Sequence, residues 1–323
     1  MKKLRITQQA IVFALFVLLF AGFALLLPGF AKLDNLLTLL QNVAILGILG
    51  LGMAIVVIGR GIDISMIATL AVPSGLLLQM MQNGASLSHA SAVALCLALA
   101  FGLVNGWLIA YAEVPSLFTT LATGLFLAGL GQAFLFQLEV VQWPRSLDAI
   151  AFFGRGSLAG LPMPVVMFAA AALLVTLLLK RLQAGAFIYA IGDNPYAARA
   201  TGLPTRPIMV LEYVLAALIG VFAGVVMAAS VNSMPTRIYN STMVYDVVLV
   251  VVLGGIGLSG GRGGVANVII GTLLIGTMLN GMTILDVTYS VQNIVKGVVL
   301  LAAILIDSIL NPRNEETAQQ GDI

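Results

Sequence analysis

IGDNPYAARATGLPTR, residues 191–206, is a short polar stretch between two long apolar runs at 163–181 and 207–231. It combines two arginines with an aspartate, an asparagine, two glycines and two prolines. Because charged side chains are costly in the hydrocarbon layer of a membrane, the stretch is expected to lie outside that layer. The apolar runs beside it are each about as long as a bilayer-crossing helix, so the chain is expected to leave the membrane here and to enter it again.

The same stretch predicts a short helix with a defined beginning and end. Asp193 or Asn194 can cap the first turn, and Pro195 suits the first helical position. Residues 196–200 then form a turn or two before Gly202 ends the helix. Such a helix, with alanines on one face and arginine on the other, could dock into a groove on another protein. The simpler interpretation is a cytoplasmic loop whose arginines only fix the orientation of the chain.

Composition places the chain among helical membrane proteins. Hydrophobic residues make up 60% of it, charged residues 9%, and its mean hydropathy is +1.09. Such a chain has too few charges to cover a soluble globule of 323 residues. Its basic residues are spread over connections instead of forming a patch, so a nucleic acid partner is not indicated. Cys96 is the single cysteine and His89 the single histidine, so the sequence predicts neither a disulfide nor a metal site.

Runs of about 20 mainly apolar residues predict about ten membrane-spanning helices, and hence an all-α polytopic membrane protein. The first run follows Lys2, Lys3 and Arg5, as in a signal peptide. It is long enough to span and lacks a small-residue cleavage pattern, so it is interpreted as a retained helix. Residues 1–309 are assigned to a single transmembrane domain and 310–323 to a short polar cytoplasmic tail. The predicted spans are 9–27, 37–58, 64–82, 90–111, 115–137, 163–181, 207–231, 243–258, 264–285 and 290–309.

The lysines and arginines predict the orientation of these helices. With a cytoplasmic N-terminus, ten of the 15 lie inside and four outside, as the positive-inside rule requires. Both termini and the 191–206 stretch are then cytoplasmic, whereas the connections at 138–162 and 232–241 face outward. The inside set is Lys2, Lys3, Arg5, Arg60, Lys180, Arg181, Arg199, Arg206, Arg262 and Arg313, and the outside set is Lys32, Arg145, Arg155 and Arg237.

The second predicted helix ends in VIGRGIDISM, residues 57–66. Gly59 and Gly61 are expected to let the backbone turn sharply around Arg60. Asp63 or Ser65 can then cap the third helix. A tight helical hairpin with one cytoplasmic arginine would explain these residues without any function.

Other polar residues fall within or near the predicted spans. Asp246 and Lys296 are opposite in charge and lie at similar depth, so we expect them to pair near an outer gate. Glu212 and Asp307 lie near inner helix ends and are expected to be solvated. The uncharged polar residues within spans are Asn105, Thr119, Thr120 and Thr123. Such residues usually pack helices or hydrogen-bond between them, and a minority of them line a pathway.

LSGGRG, residues 258–263, resembles the nucleotide-binding signature of transport ATPases. The chain has no G-x-x-x-x-G-K-[ST] motif, however, and no soluble segment long enough for a nucleotide fold. We therefore interpret the glycines as allowing two helices to approach closely and to turn back, with Arg262 at the cytoplasmic edge. No ATPase activity is predicted for this chain.

Four motifs in order resemble the ribose-type branch of bacterial ABC importer permeases, from the second predicted helix to the last. GRGIDIS resembles that family's G-G-I-D-L-S segment, although Arg60 replaces a glycine and Met66-Ile67-Ala68 replaces Val-Gly-Ser. NGWLIA with VPSLFTTLAT resembles its N-G-x-L and P-x-F-I-x-T-L-x-T segments, and IGDNPYAARATGL its G-x-N-x-x-A-A-x-x-x-G-I loop. YDVVLVVVLGGIGLSGGRGG and NIVKGVVLLAAILID are similar over their length.

The resemblance implies a multi-pass permease of the bacterial inner membrane that imports a sugar or sugar-like solute by alternating access. The implied partners are a separate ABC ATPase that binds ATP and Mg²⁺, a periplasmic substrate-binding protein, a second permease subunit that is identical or related, and membrane lipid. No catalytic residue, cofactor or metal is assigned to this chain. The implied ATPase-coupling loop contains Gly192, Asn194, Ala197, Ala198, Arg199 and Gly202. The gate or pathway candidates are Asp63, Ser65, Asn105, Thr119, Thr123, Asp246 and Lys296.

Two other classes of protein are the alternatives to an importer subunit. An ion-gradient-driven secondary transporter usually carries its coupling ions on membrane-embedded carboxylates or histidines, and the sequence predicts only Asp246, near one surface, as such a residue. A membrane enzyme would need paired carboxylates or a metal-ligand cluster near one face, and the sequence shows no such cluster.

Overall fold

The computed structural model describes residues 8–136 and 139–310 of the chain. It consists mainly of helices, with two short two-stranded sheets. Seven helices are long and apolar enough to cross a membrane, and three shorter apolar helices, at 66–82, 243–253 and 289–305, match the remaining predicted spans. The prediction of an all-α polytopic membrane protein is confirmed.

The helices, in chain order, are α1 (Gln8–Leu26), α2 (Leu33–Ile58), α3 (Met66–Gln82), α4 (Leu87–Ala110), α5 (Ser116–Leu130), α6 (Phe152–Arg155), α7 (Met163–Arg181), α8 (Gln183–Asp193), α9 (Pro195–Ala200), α10 (Thr205–Val231), α11 (Met243–Leu253), α12 (Val265–Ile284) and α13 (Tyr289–Leu310). A π-helical turn continues α5 at Gly131–Leu135, and 3₁₀ turns lie at Arg145–Leu147 and Ile238–Asn240. The strands are β1 (Val140–Gln142), β2 (Ser157–Leu158), β3 (Leu161–Pro162) and β4 (Ser233–Pro235). The predicted cytoplasmic positions Lys2, Lys3, Arg5 and Arg313, and the predicted tail beyond residue 310, lie outside the described residues.

The helices α2 and α10 form the centre of the bundle. In the most apolar part of α2, 89% of the residues are buried, against 6% in α1. α2 packs against α7, α10, α11 and α12, while α10 packs against α2, α3 and α4. The outer helices expose large apolar side chains such as Leu25 and Phe134, as lipid-facing surfaces do.

Small residues bring the backbones of the central helices close together. A Cβ atom added to Gly102 of α4 would lie 2.7 Å from the Cα atom of Val214 in α10, and one added to Gly106 would lie 2.6 Å from the Cα atom of Val210. The two helices therefore touch along their backbones, as membrane helices with small interfacial residues commonly do.

The two long connections that were predicted to share the outer side of the membrane are joined to each other. β1 and β4 pair antiparallel, with Val141 opposite Met234. β2 and β3 form a separate hairpin within the first connection. The pairing of β1 with β4 confirms that the 138–162 and 232–241 connections lie on the same side.

α11 is shorter than predicted: it ends at Leu253 and not at 258. The glycine-rich segment 254–264 follows, and α12 returns beside α11. A Cβ atom on Gly271 of α12 would lie 2.0 Å from the carbonyl oxygen of Val250. The predicted close approach of the two helices around the glycine-rich segment is therefore confirmed.

We expect Gly271→Val to destabilise the protein, because the added side chain has no room against the backbone of α11. Overpacking of this kind typically costs about 1–3 kcal/mol and occasionally more. Thermal unfolding of the purified protein in mild detergent measures the effect. Gly129→Val is the matched control, since a Cβ atom at Gly129 meets nothing within 4 Å; equal unfolding temperatures for the two variants would contradict the close contact.

Candidate coupling surface and buried polar network

The connection between α7 and α10 contains two helices joined at Asn194. The side-chain oxygen of Asn194 accepts hydrogen bonds from the backbone N–H groups of Tyr196 and Ala197, both at 3.0 Å. Pro195 occupies the first position of α9, and Gly202, with a φ of +81°, follows its end. The predicted short helix is confirmed, with Asn194 and not Asp193 as its cap.

The faces of α9 differ from the prediction of alanines on one side and arginine on the other. Ala198 is 4% exposed and packs into the core of the bundle. Ala197 and Arg199 are both exposed, beside Tyr196, which is 46% exposed. α9 has fewer than two turns, and with Ala198 as its buried residue most of its surface is left open.

α8 was not predicted, although its sequence carries a helical signal. Its buried residues occupy positions i, i+3, i+6 and i+7, which places them on one face; they are Gly185, Ile188, Ile191 and Gly192. The pattern is easily missed, because 182–190 lies between the predicted span 163–181 and the polar stretch 191–206 and is too short to be a span itself. α8 connects α7 with α9 and places Gly192 against the end of α2.

Three backbone segments meet behind α9, at what we term the backbone junction, formed by Ile58, Gly192 and Gly261. The N–H group of Gly261 donates a hydrogen bond of 2.8 Å to the carbonyl oxygen of Ile58 at the end of α2. A Cβ atom on Gly192 would lie 1.8 Å from that same oxygen and 2.5 Å from the nitrogen of Gly261. The cytoplasmic connection therefore touches α2 and the glycine-rich segment directly, with no side chain in between.

The segment just after α2 is arranged differently from the prediction. Gly59 has a φ of −73°, so it does not supply the sharp turn, and the residue with positive φ is Arg60, at +76°. A Cβ atom on Gly59 would lie 2.1 Å from a carboxylate oxygen of Glu212, and one on Gly61 would lie 2.2 Å from the hydroxyl of Tyr213. The glycines are thus required for close approach to α10.

Glu212 is buried, and the prediction that it is solvated is wrong. It is 1% exposed, and Tyr213 beside it is also 1% exposed. Glu212 Oε1 and the Tyr213 hydroxyl have no hydrogen-bond partner among the described residues. The available signal was the position of Glu212 well inside a 27-residue apolar helix, where an ionisable residue is unusual. The side chain of Asp307 lies outside the part of the chain whose side chains are described.

Four of the predicted gate or pathway residues form one buried hydrogen-bonded network. Thr123 Oγ1 donates to Asn105 Oδ1 at 2.5 Å, and Asn105 Nδ2 donates to Ser65 Oγ at 2.9 Å. Both the backbone N–H and the hydroxyl of Ser65 donate to Asp63 Oδ1, so Asp63 starts the turn that leads into α3. The network joins the beginning of α3 to α4 and α5 within this single chain.

Two further residues lie around this network. Thr119, the other candidate on α5, is 3% exposed. Its hydroxyl has no partner among the described residues, and it touches the network only through its backbone carbonyl oxygen, which accepts a hydrogen bond of 2.9 Å from Thr123 Oγ1. Tyr239 reaches in from the outer connection, where a Cβ atom on Gly124 would lie 3.0 Å both from Ser65 Cα and from the Tyr239 hydroxyl. Burial raises the pKa of the Tyr239 phenol, so this hydroxyl keeps its proton.

Asp246 and Lys296 form the predicted ion pair. Lys296 Nζ lies 2.8 Å from Asp246 Oδ1 and 3.1 Å from Oδ2, and it also donates to Thr242 Oγ1 at 3.2 Å. The two charged side chains are 7% and 14% exposed, for lysine and aspartate respectively. The ring of Tyr289 lies 5.7 Å from the ammonium group. The pair holds α13 against α11.

Comparisons with known proteins assign the chain to a family. Residues 35–304 match the family described as the permease component of a branched-chain amino acid transport system. The chain belongs to this permease family. The permease is 34% identical over 274 residues to the ribose import permease protein RbsC of Bacillus subtilis (strain 168), with 84% of each chain covered. It is 33% identical over 270 residues to the galactofuranose transporter permease protein YtfT of Escherichia coli (strain K12), covering 84% of the permease and 78% of the relative.

A third relative is the L-arabinose transport system permease protein AraH of Escherichia coli (strain K12), 32% identical over 206 residues, or 63% of the permease and 61% of AraH. No solved structure matches the permease. Family membership and the apolar helices establish a multi-pass membrane transport subunit and not an enzyme.

We expect Gly59→Ala to destabilise the permease, because its methyl group would collide with the buried carboxylate of Glu212. The cost should be about 1–3 kcal/mol, as for other overpacked sites. Thermal unfolding in detergent measures it, and Gly297→Ala serves as a control because its surroundings are open. The double variant Gly59→Ala/Glu212→Ala should recover part of the loss. If it is no more stable than Gly59→Ala alone, the contact between the two residues is wrong.

Reversing one charge of the Asp246–Lys296 pair should destabilise the permease strongly, since removing one partner of a buried pair costs about 3–5 kcal/mol. Asp246→Lys and Lys296→Asp are compared with the double swap, which should restore most of the lost stability and uptake. The exposed pair Arg206–Glu113, 3.2 Å apart and 45% and 66% exposed, is the control. Its single swaps should change stability by no more than about 1 kcal/mol. Failure of the double swap to rescue either single swap would contradict the pairing.

Proposed function

We propose that this permease is the membrane subunit of an ATP-driven ABC importer of the bacterial inner membrane that carries a sugar or sugar-like solute. A separate ATPase subunit would bind ATP and Mg²⁺ and dock on α9, a periplasmic binding protein would deliver the solute, and a second permease subunit, identical or related, would complete the path. The relatives named for ribose, galactofuranose and L-arabinose support a sugar over the amino acids in the family description. This chain would bind no cofactor of its own.

The observation that carries the proposal is the backbone junction. α9 offers an exposed surface around Ala197 and Arg199, and it is fixed to the bundle by buried Ala198. Directly behind it, Gly192 contacts the last carbonyl group of α2. A movement imposed on α9 by a docked ATPase would therefore reach the most buried of the long helices through α8 and the junction, without a compressible side chain in the path.

From the end of α2 the movement would spread in two directions. The close contact of Gly59 with Glu212 links α2 to α10, and the segment 59–65 links it to the hydrogen-bonded network of α3, α4 and α5. Packed interfaces of this kind respond to small shifts by moving as rigid units. Alternating access would follow from tilting these units against each other and needs no catalytic residue.

A proton-driven transporter is the second candidate, and the structure adds an observation in its favour. Asp63 and Glu212 are both 1% exposed, so the structure adds two buried carboxylates to Asp246, the one that the sequence predicts within the membrane. Asp63 is engaged by Ser65, which suits a structural role. Family membership supports the importer. In proteoliposomes of the complete complex, with ATP enclosed and the binding protein and solute outside, dissipation of the proton gradient should leave uptake unchanged if the importer proposal is correct and abolish it if protons drive transport.

Replacing Ala197 by glutamate should uncouple the permease from its ATPase, because a bulky charge would then stand on the exposed face of α9. We expect the tagged parent protein to co-purify with an ABC ATPase from its native membrane in mild detergent, and Ala197→Glu to lose most of it, with ATP-dependent uptake falling in parallel. Its unfolding temperature should stay that of the parent, since Ala197 is exposed; Ala198→Glu, at a buried site, would not permit this separation.

Ala112→Glu is the matched control for this experiment. It introduces the same charge at another exposed position, in the α4–α5 connection that is predicted to be cytoplasmic. It should retain the ATPase. Recovery of the parent without any ABC ATPase would contradict the importer proposal, and equal recovery from Ala197→Glu and the parent would contradict docking on α9.

A further inference from the structure

A groove of about 800 Å³ lies on the outside of the bundle, between the end of α4 and the beginning of α10. Its size is within the range of small-molecule sites. The two helices touch beneath it, where a Cβ atom on Gly106 would lie 2.6 Å from the Cα atom of Val210, and larger side chains form its walls. The lining residues include Leu103, Val104, Trp107, Tyr111, Pro207 and Val210.

The groove begins at the predicted cytoplasmic boundary of the membrane. Trp107 lies three residues before the end of α4, or about 5 Å along the helix, and Tyr111 follows that end. Tryptophan and tyrosine are typical of the boundary between hydrocarbon and water. Leu103 lies one turn deeper than Trp107, on the same face of α4. The groove therefore extends from the boundary into the hydrocarbon of the cytoplasmic leaflet.

A cation stands at the mouth of this apolar groove. The guanidinium group of Arg206 lies 5.5 Å from the centre of the Tyr111 ring, and its Nη2 atom lies 3.2 Å from Glu113 Oε1. Arg206 is exposed, and its other guanidinium N–H groups make no hydrogen bond to any residue that the structure describes. Because guanidinium groups bind phosphate through paired hydrogen bonds, the mouth offers a phosphate site beside an apolar groove.

The predicted cytoplasmic face around the mouth carries an excess of positive charge. Among the residues that the structure describes there, six are basic, and the two exposed acidic residues are Glu113 and Asp193. Basic residues next to the cytoplasmic leaflet attract anionic lipids. The six basic residues are Arg60, Lys180, Arg181, Arg199, Arg206 and Arg262.

We infer that this groove binds an anionic phospholipid of the cytoplasmic leaflet, such as phosphatidylglycerol. One acyl chain lies along Trp107 and Leu103, and the headgroup phosphate takes the Arg206 donors that Glu113 leaves unused. Ordinary lipid contact with an aromatic residue would show no preference for a headgroup, whereas this site does. Because the groove lies at the beginning of α10, directly after the α9–α10 connection, the bound lipid braces that end of α10. The inference does not depend on what the permease transports.

Trp107 itself reports whether the lipid is bound. The chain has one other tryptophan, Trp143, which is buried and whose indole nitrogen has no partner among the described residues, so Trp143→Phe loses no hydrogen bond seen there. The Trp143→Phe permease is reconstituted in phosphatidylcholine bilayers that contain a small fraction of phosphatidylglycerol brominated on its acyl chains. Bromine quenches tryptophan fluorescence at short range. We expect Trp107 to select phosphatidylglycerol about fivefold over equally brominated phosphatidylcholine, the effect of one basic residue at an anionic surface.

Two variants separate phosphate binding from the ion pair, because both remove the pair. Arg206→Gln should abolish the preference for phosphatidylglycerol, since the phosphate loses its donors. Glu113→Gln should increase it, since a competing and repelling carboxylate is gone. Arg181→Gln is the matched control: it removes an equally exposed charge from the same predicted face and should leave most of the preference. Soluble glycerophosphoglycerol should not relieve the quenching, because the free headgroup lacks the acyl chain.

Four outcomes would overturn the inference. Equal quenching by the two brominated lipids would mean ordinary lipid contact, and no quenching by either would mean that protein, such as a second copy, covers the groove. An equal loss of preference in Arg206→Gln and Arg181→Gln would assign it to general surface charge. Changes of the same sign in Arg206→Gln and Glu113→Gln would assign it to the ion pair. If Trp143→Phe does not fold, the same signal is the difference between the parent and Trp107→Phe.

Discussion

The contact of Gly192 with the last carbonyl group of α2 is the constraint on which the cytoplasmic half of the structure depends. The carbonyl oxygen of Ile58 already accepts a hydrogen bond from Gly261, and it leaves no room for a side chain at position 192. A side chain can relieve a close contact by changing its rotamer, whereas a backbone segment cannot. A movement at this contact must therefore be shared by the end of α2, the end of α8 and the glycine-rich segment. The 191–206 stretch, although polar in sequence, is thereby attached directly to the core of the bundle.

α2 is held in the same way along its length. Gly59 accommodates Glu212 at one end, Val43 fits against Gly276 in the middle, and the reciprocal Asn35–Asn280 amide pair fixes the other end. The first contact joins the end of α2 to α10, and the other two join α2 to α12 at two different levels. A helix fixed at several levels transmits displacement as a rigid element, which suits the central position of α2.

Features set by local sequence were predictable, and features set by distant partners were not. The Asn194 cap and the end of α9 follow from a few neighbouring residues, and the apolar runs follow from composition. The position of Glu212 inside an apolar helix is a signal in the sequence, but the contact that buries its carboxylate, with Gly59 just after α2, cannot be read from the residues next to Glu212. For the same reason the sequence predicts backbone freedom as the role of the glycines around Arg60, whereas the structure shows that they are needed for close approach to α10. The opposite-sign pair of Asp246 and Lys296 was predictable because complementary charges at similar depth have few other partners.

α11 and α13 have a consequence for how the chain enters the membrane during synthesis. α11 spans only 11 residues and carries Asp246, and α13 carries Lys296, so each contains a charge that opposes its own partitioning into lipid. The charges are neutralised only when both helices are present, and α12 separates them in the chain. The C-terminal third is therefore expected to leave the insertion machinery as one assembled unit, late in biogenesis, and not helix by helix.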